Sequence, residues 1–183
     1  MSEETVIRQC APTLAGIKTG NLFPCPYSSR ESLKAEIRQL NRKLVPRGLC
    51  LVLLRCTEKS ALLYLFRPSG LREDLKDRTA QELLSEAGYP CGDCGKCVCK
   101  LVRRFRESEE FPHEIGLFLS YPPEDVKGFI DNHAANYKRI GLWKVYGDEE
   151  RAENLFRKFT RCTEIYTGLW QKGKHLEHLT VAG

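Results

Sequence analysis

Two apolar runs flank a short polar turn in the stretch Leu49–Phe66, which reads LCLVLLRCTEKSALLYLF. Continuous apolar runs of this length, separated by the polar residues Thr57–Ser60, are typical of a β-hairpin. Because neither run alternates with polar residues, both faces of the strands are expected to be covered. The stretch therefore predicts a hairpin with helices packed against it.

Helices are predicted on both sides of this hairpin. Pro46 and Gly48 end the helix before it, and Gly88 lies just past the end of one that follows. Capping patterns or an early proline mark the predicted helix starts at Ser28-Ser29-Arg30-Glu31, Thr79-x-x-Glu82, Asp148 and Cys10-Ala11-Pro12-Thr13. The helix after Asp148 keeps its apolar spacing as far as Trp170.

A second β-unit is predicted in the last third of the chain. Ile115–Leu119 and Leu142–Tyr146 are expected strands, joined by a helix that starts at Pro122-Pro123. If the two strands are parallel neighbours, their crossover is right-handed. Phe23–Pro26 is expected to be an extended loop because its prolines restrict the residues before them.

These elements predict an α+β fold with a sheet of about four strands, formed by the hairpin and the β-α-β unit, and helices packed against it. Residues 1–171 are expected to form one domain, and residues 172–183 a loose C-terminal tail.

The composition excludes several classes of protein. The chain has 183 residues, of which 42% are hydrophobic and 29% charged, so it is neither disordered nor an integral membrane protein. The net charge of +5 is spread over helices that also carry acidic residues, and nucleic-acid binding is not indicated. No segment resembles a signal peptide, and we expect a cytoplasmic protein with reduced cysteines.

The densest chemical signal among the nine cysteines is the run CGDCGKCVC. Cys91, Cys94 and Cys97 follow the C-x₂-C-x₂-C spacing with which a bacterial ferredoxin motif begins, and Cys99 departs from that motif. Thiolates are soft ligands, so this loop is a candidate site for an iron–sulfur cluster or zinc. The alternative is a flexible loop of reduced cysteines.

A second candidate site combines three residues that are distant in sequence. Cys10, expected near a helix N-terminus, is a candidate thiolate nucleophile because the helix dipole lowers the pKa of a thiol. His113 and Glu114 are a candidate acid–base pair, although adjacent strand residues point to opposite faces. The alternatives are a buried thiol that packs the helix and a capping histidine.

Three stretches together resemble an uncharacterised bacterial family, a domain of unknown function that is common in anaerobes. They are Cys10–Lys18 (CAPTLAGIK), Phe111–Ile130 (FPHEIGLFLSYPPEDVKGFI) and Trp143–Asp148 (WKVYGD). The resemblance implies a free-standing cytoplasmic domain and brings no established reaction. It also implies partners among iron and redox proteins.

The resemblance also ranks the candidate residues. Besides Cys10, His113 and Glu114, the matching stretches contain four candidate cofactor-binding residues: Lys18, Asp125, Lys144 and Tyr146. An outward-facing strand residue is the alternative for Lys144. The run Cys91–Cys99 lies outside the shared pattern.

Three hypotheses follow. The first is a metal-binding or redox accessory protein that uses Cys91, Cys94, Cys97 and Cys99. The second is a Cys/His-dependent enzyme, and the third is a small-ligand or protein-binding module whose surface includes the loops around Tyr121–Asp125. The sequence predicts no oligomeric state.

Overall fold

A computed structural model describes residues 1–90, 92–108 and 110–183, and it confirms the α+β class. The helices are α1 (Glu3–Leu14), α2 (Arg30–Leu44), α3 (Pro68–Asp74), α4 (Arg78–Glu86), α5 (Cys94–Glu107), α6 (Ile115–Phe118), α7 (Pro123–Asp131) and α8 (Glu149–Gln171). The strands are β1 (Gly20–Pro26), β2 (Cys50–Cys56), β3 (Ser60–Phe66), β4 (Arg139–Ile140) and β5 (Lys144–Val145).

The main sheet is antiparallel, with the strand order β1-β3-β2. The predicted hairpin is confirmed as β2 and β3, and its central strand pairs Leu63 with Phe23 on one side and with Leu53 on the other. Leu63 and Leu65 pack in one hydrophobic cluster, and Tyr64 and Phe66 pack in another. The sheet therefore has a core on each face, as the continuous apolar runs of the hairpin predict.

Strand β1 corrects the loop that was expected at Phe23–Pro26. It pairs with β3 along its whole length, from Gly20 opposite Phe66 to Pro26 opposite Ser60. Its prolines are tolerated because β1 is an edge strand, where a missing N–H leaves no gap in a central ladder. This strand, and not a β-α-β unit, completes the sheet, which therefore has three strands and not four.

The expected strand Ile115–Leu119 is wrong, because this segment forms the short helix α6. The N–H of Ile115 donates to the carbonyl of Pro112, and that of Leu117 donates to the carbonyl of Glu114. Residues 115–118 are all buried, and a short apolar run that is buried on every side has no periodicity that separates a helix from a strand. The second expected strand is reduced to β5, which pairs with β4 in a separate hairpin.

Helices cover both faces of the main sheet. Helices α1 and α2 contribute to the cluster that contains Leu63 and Leu65, and helices α3 to α7 contribute to the cluster that contains Tyr64 and Phe66. The long helix α8 packs along α1, and its residues Phe156 and Phe159 form a third cluster with Trp143 of the β4–β5 region.

Residues 172–183 differ from the expected loose tail. Leu176 and Leu179 are buried in the α1–α2 cluster, and the N–H of Val181 donates to the carbonyl of Leu14 at 3.0 Å. Arg67 donates a further hydrogen bond to the carbonyl of Val181. The segment therefore forms part of the domain core, which its polar composition does not indicate. No helix in the described part of the chain has the length and apolar character to cross a membrane.

Candidate ligand-binding cavity

A cavity of 520 Å³ lies where the end of α1, the start of β1, helices α6 and α7, and the β4–β5 hairpin meet. We call it the aromatic cavity and define it by Lys18, His113, Tyr121, Phe129, Trp143 and Lys144, all of which line it. Five of these residues lie in the stretch Phe111–Ile130 or in its partner stretch Trp143–Asp148. The two sequence motifs therefore meet in space at this cavity.

Asp125 holds the two motifs together. Its carboxylate is 2% exposed and accepts hydrogen bonds from the Trp143 indole N–H and from the backbone N–H groups of Tyr146 and Gly147, each at 2.7 Å. These bonds fix the β5 segment against the first turn of α7. Asp125 itself lines the cavity, and the three hydrogen bonds that its carboxylate accepts hold this part of the wall in place.

Aromatic rings form the walls of the cavity. Tyr121 stacks on Trp143 with ring centroids 4.6 Å apart, and Trp143 meets the edge of Phe156 at 4.4 Å. His113 packs against Phe129 at 5.2 Å. These contacts hold the rings in place before any ligand arrives, which lowers the entropy cost of binding.

Lys18 reaches the cavity from the turn that follows α1. Gly16, with φ +75°, adopts the left-handed conformation that lets the chain reverse, and the Lys18 backbone N–H donates to the carbonyl of Pro12 at 3.2 Å. The Lys18 ammonium lies 5.5 Å from the Tyr121 ring centroid and 5.7 Å from that of Phe159. It makes no hydrogen bond or ion pair with any residue in the described ranges.

Burial lowers the pKa of the Lys18 ammonium from 10.5 to about 8. The neighbouring Cys10 opposes this shift only when its thiol is ionised. Burial keeps that thiol protonated by raising its pKa far above the usual value. Lys18 is therefore a cation that the protein surroundings disfavour.

Lys144 is the second cation of the cavity. Its ammonium donates to the carbonyl of Ala134 at 2.7 Å and lies 4.8 Å from the centroid of the Tyr137 ring. It forms no ion pair with a carboxylate in the described part of the chain. One carbonyl leaves donor capacity on an ammonium group, which has three N–H bonds.

A second cavity, of 720 Å³, adjoins the first along α8. Lys18, Asn21, Tyr121 and Leu142 line both cavities, so Lys18 stands at their junction. We call the second one the polar cavity because its remaining wall contains the polar residues Gln9, Thr160, Thr163, Glu164, Thr167 and Gln171.

The three candidate catalytic residues lie in different environments. Cys10 is fully buried in the α1–α2 cluster, whereas His113 is exposed and lines the aromatic cavity. Because α1 begins at Glu3, Cys10 lies in the body of the helix and not near its N-terminus. The pKa of its thiol is raised by burial, opposite to the lowering expected at a helix N-terminus.

Glu114 points away from its neighbour His113 into the core. Its Oε1 atom accepts a hydrogen bond from the Tyr89 hydroxyl at 2.8 Å and lies 3.1 Å from Nε of Arg104. The residue is 5% exposed. Glu114 thus balances the charge of Arg104 between α5 and α6 and does not line the aromatic cavity.

The cysteine run is split by the start of α5. Cys97 is buried and its thiol donates to the carbonyl of Pro90 at 3.2 Å, Cys94 is partly buried, and Cys99 is exposed. Cys91 lies outside the described residues. Within the described ranges, no group of three or more His, Cys, Asp or Glu side chains is placed to hold a metal ion.

Tyr146 is placed beside the cavity rather than in it. Its ring packs so closely on Gly128 that a Cβ atom there would lie 2.4 Å from Cβ of Tyr146. Its hydroxyl is buried and has no hydrogen-bond partner among the described residues. Of the remaining candidates, Lys18, Lys144 and Asp125 line the cavity, and Tyr146 packs beside it.

Sequence reasoning did not single out the rings that form the walls, namely Tyr121, Phe129 and Trp143. Their signal was present, since all three lie inside the matching stretches. The hypothesis of a binding surface around Tyr121–Asp125 came closest to the observed cavity.

The fold and the cavity define a single α+β domain with a pocket between the end of α1, helices α6 and α7, and the β4–β5 hairpin. The chain belongs to the family described as "Protein of unknown function (DUF3793)", whose profile matches residues 6–180. The resemblance found in the sequence is thereby confirmed. No curated protein and no solved structure matches the chain.

Proposed function

We propose that this protein binds a small anionic aromatic compound, a carboxylate or phosphate with a flat apolar group, in the aromatic cavity. The observation that carries the proposal is the Lys18 ammonium, which faces aromatic rings and has no acceptor among the described residues. An anion that enters the cavity would supply the missing partner.

The walls suit the apolar part of such a ligand. Tyr121, Phe129 and Trp143 offer ring faces and edges, and aromatic pairs add about 0.5–1.5 kcal/mol beyond the area that they bury. The rim is apolar as well: Phe111, Ile140 and Leu142 line the cavity and are 49%, 62% and 51% exposed. A cluster of exposed apolar side chains around a cavity is a common mark of a binding site.

The charges of the cavity suit the anionic part. Lys18 and Lys144 bring two positive charges to the wall, and the Asp125 carboxylate is engaged by three N–H donors. A carboxylate or phosphate between the two lysines would form charge-assisted hydrogen bonds, which contribute about 1.5–3 kcal/mol each.

Fluorescence titration with 8-anilinonaphthalene-1-sulfonate, an aromatic anion, tests the proposal. Benzoate and phenyl phosphate are expected to displace the probe, whereas the neutral benzyl alcohol is not. Lys18→Met and Lys144→Met are each expected to weaken probe binding about tenfold, which corresponds to 1.4 kcal/mol.

Lys59→Met is the matched control. Lys59 is exposed in the β2–β3 turn, at the end of the sheet opposite Asn21 and the cavity. The Lys59→Met substitution removes the same positive charge and should leave the affinity for the probe unchanged. Equal affinities for the wild type, Lys18→Met and Lys144→Met would contradict the proposal.

The Cys/His-dependent enzyme receives less support. Of its three residues only His113 lines the aromatic cavity. Cys10 is fully buried in the α1–α2 cluster, and Glu114 is buried against Tyr89 and Arg104. A thiolate mechanism would require an ionised Cys10 in a fully buried site.

A metal-binding or redox accessory role is the second candidate. It is favoured by the first turn of α5, where Cys94 and Cys97 are three residues apart and therefore on one side of the helix. With Cys91 they would offer thiolates to zinc or an iron–sulfur cluster, and binding would release the thiol protons. Iron and redox proteins would then be its partners.

Anaerobic purification, followed by elemental analysis and an absorption spectrum, tests this second candidate. A stoichiometric metal that is lost in the double variant Cys94→Ala/Cys97→Ala and retained in Cys162→Ala would support it. Protein that contains no metal after expression with added iron and zinc would exclude it.

A further inference from the structure

Lys18 has surroundings that differ from those of an ordinary anion-binding lysine. Its ammonium lies between the rings of Tyr121 and Phe159, at the junction of the aromatic and polar cavities. Cation–π contacts with these rings replace only part of the hydration that the ammonium loses. Burial therefore makes the neutral amine of Lys18 available at a lower pH than that of an exposed lysine.

The charged and titratable groups around Lys18 do not offset the effect of burial on its pKa. Glu164 of α8 lies in the wall of the polar cavity and pairs with Arg161 at 3.2 Å. Asp125 is engaged by its three N–H donors, and Lys144 adds a positive charge. The remaining neighbours are the groups of Cys10, Tyr121 and His113, and neither the thiol nor the phenol provides a negative charge near neutral pH because burial raises the pKa of both.

We propose that the amine of Lys18 condenses with a carbonyl group of the ligand, so that the ligand is an aromatic aldehyde or ketone that also carries a carboxylate or phosphate. This inference rests on the proposed function and adds a covalent step to it. Lys18 then captures the carbonyl carbon, and Lys144 pairs with the anionic group.

The condensation is balanced without a further reactant. The amine nitrogen donates its electron pair to the carbonyl carbon and forms a C–N bond. The C–O bond then breaks, and the carbonyl oxygen leaves with the two hydrogens of the amine as one water molecule. The product is an imine, and no electrons are gained or lost overall. Lysines in apolar pockets are suited to this chemistry because they are neutral at lower pH than exposed ones.

The experiment uses 4-formylbenzoate as the probe, with sodium borohydride added to reduce the imine to a stable secondary amine. Intact mass spectrometry measures the adduct, and peptide mapping locates it. One adduct is expected, at Lys18. Its yield should rise with a midpoint near pH 8, the pKa to which burial lowers Lys18, whereas exposed lysines react only as the pH approaches 10.5.

Lys18→Arg is the informative variant because it keeps the positive charge and lacks a condensing amine. It should abolish the adduct and still bind 4-methylbenzoate, which has the same anion and ring but no carbonyl. Lys59→Arg is the control and should give the wild-type adduct.

The outcomes separate the two proposals. An adduct that is spread over surface lysines, or one that survives in Lys18→Arg, overturns the covalent step. If 4-methylbenzoate nevertheless binds to the wild type, the anion-binding function stands alone. If neither 4-methylbenzoate nor 4-formylbenzoate binds, both proposals fail.

Discussion

Arg67 and Lys18 are two cations at the same end of α1, and they differ in the hydrogen-bond acceptors that surround them. Arg67 is 6% exposed and donates to the carbonyls of Thr13, Leu14 and Val181 at 2.7, 2.8 and 2.7 Å. Two of these carbonyls are in the last turn of α1, where the helix dipole favours a positive charge. Lys18 receives no such acceptors from the described residues.

The difference separates a structural charge from one that is open to a ligand. A buried polar group that is fully hydrogen-bonded contributes to a unique fold, and an unpaired one costs free energy. Arg67 joins α1 to the C-terminal segment by donating to carbonyls of both, in addition to the backbone hydrogen bond from Val181 to Leu14. Lys18 costs stability unless a ligand occupies the cavity.

Arg67→Met is expected to have the largest effect on folding. It removes hydrogen bonds from a charged group to three carbonyls, two of them buried, and the free energy of unfolding should fall by about 3–5 kcal/mol. Urea denaturation measures this loss. Arg78→Met is the control, because the Arg78 side chain is 93% exposed and should change stability by less than about 0.5 kcal/mol. A similar result for both variants would mean that Arg67 does not hold the C-terminal segment.

Asp125→Asn extends the comparison to a carboxylate in the wall of the cavity. An amide presents one acceptor where three N–H donors now converge on two oxygens, so about 2–3 kcal/mol of stability should be lost. The emission of Trp143 should shift as its indole loses its acceptor. Asp131→Asn, at an exposed carboxylate on the same helix, should leave both readings unchanged. An unaltered emission spectrum in Asp125→Asn would show that Asp125 does not position Trp143.

Lys18→Met should act in the opposite direction and stabilise the protein in the absence of ligand. The pKa of Lys18 is about 8 in the folded chain and 10.5 in the unfolded chain. Between these values the unfolded chain binds more protons, so wild-type stability rises with pH relative to the variant. The advantage of Lys18→Met is therefore full below pH 8 and disappears as the pH approaches 10.5.

The size of this advantage is about 1–2 kcal/mol, because the partial exposure of Lys18 reduces the value expected for full burial. Denaturant melts of both proteins from pH 7 to pH 10.5 measure the difference, and effects of the tyrosines and cysteines cancel in it. A difference that does not depend on pH would show that burial does not perturb Lys18.

The sequence predicted the parts of the fold that local patterns decide. The hairpin follows from two apolar runs around a polar turn, and Asp148 caps α8 by accepting a hydrogen bond from the N–H of Arg151. Strand β1 was not predicted because it contains prolines. Prolines are tolerated in an edge strand, and the sequence alone does not show that β1 lies at the edge of the sheet. Helix α6 was not predicted because its residues are apolar and buried on all sides. Such a run shows no hydrophobic periodicity that would distinguish a helix from a strand.

The site was only partly predictable for the same reason. Lys18, His113, Asp125 and Lys144 were candidates, and they do line one cavity. However, the hydrogen bonds of Asp125 were not predicted, because its three partners are backbone and indole N–H groups that lie 18 to 22 residues further along the chain. Such contacts depend on tertiary structure, which residue spacing does not encode.

The smallest effects on stability are expected from two tyrosines. They repeat, for neutral hydroxyl groups, the comparison between a buried group that has a hydrogen-bond partner and one that has none among the described residues. The Tyr64 hydroxyl is buried and donates to the carbonyl of Phe118 at 2.6 Å, whereas the Tyr146 hydroxyl is buried without a partner among the described residues. Tyr64→Phe should lower the free energy of unfolding by about 1–2 kcal/mol, because it leaves that carbonyl without its donor. Tyr146→Phe should change it by less than about 0.5 kcal/mol or raise it slightly, because the hydroxyl pays for its burial without a hydrogen bond in return. Equilibrium unfolding in urea measures both, and a loss in Tyr146→Phe as large as that in Tyr64→Phe would show that Tyr146 has a hydrogen-bond partner in solution, such as a bound water beside the cavity.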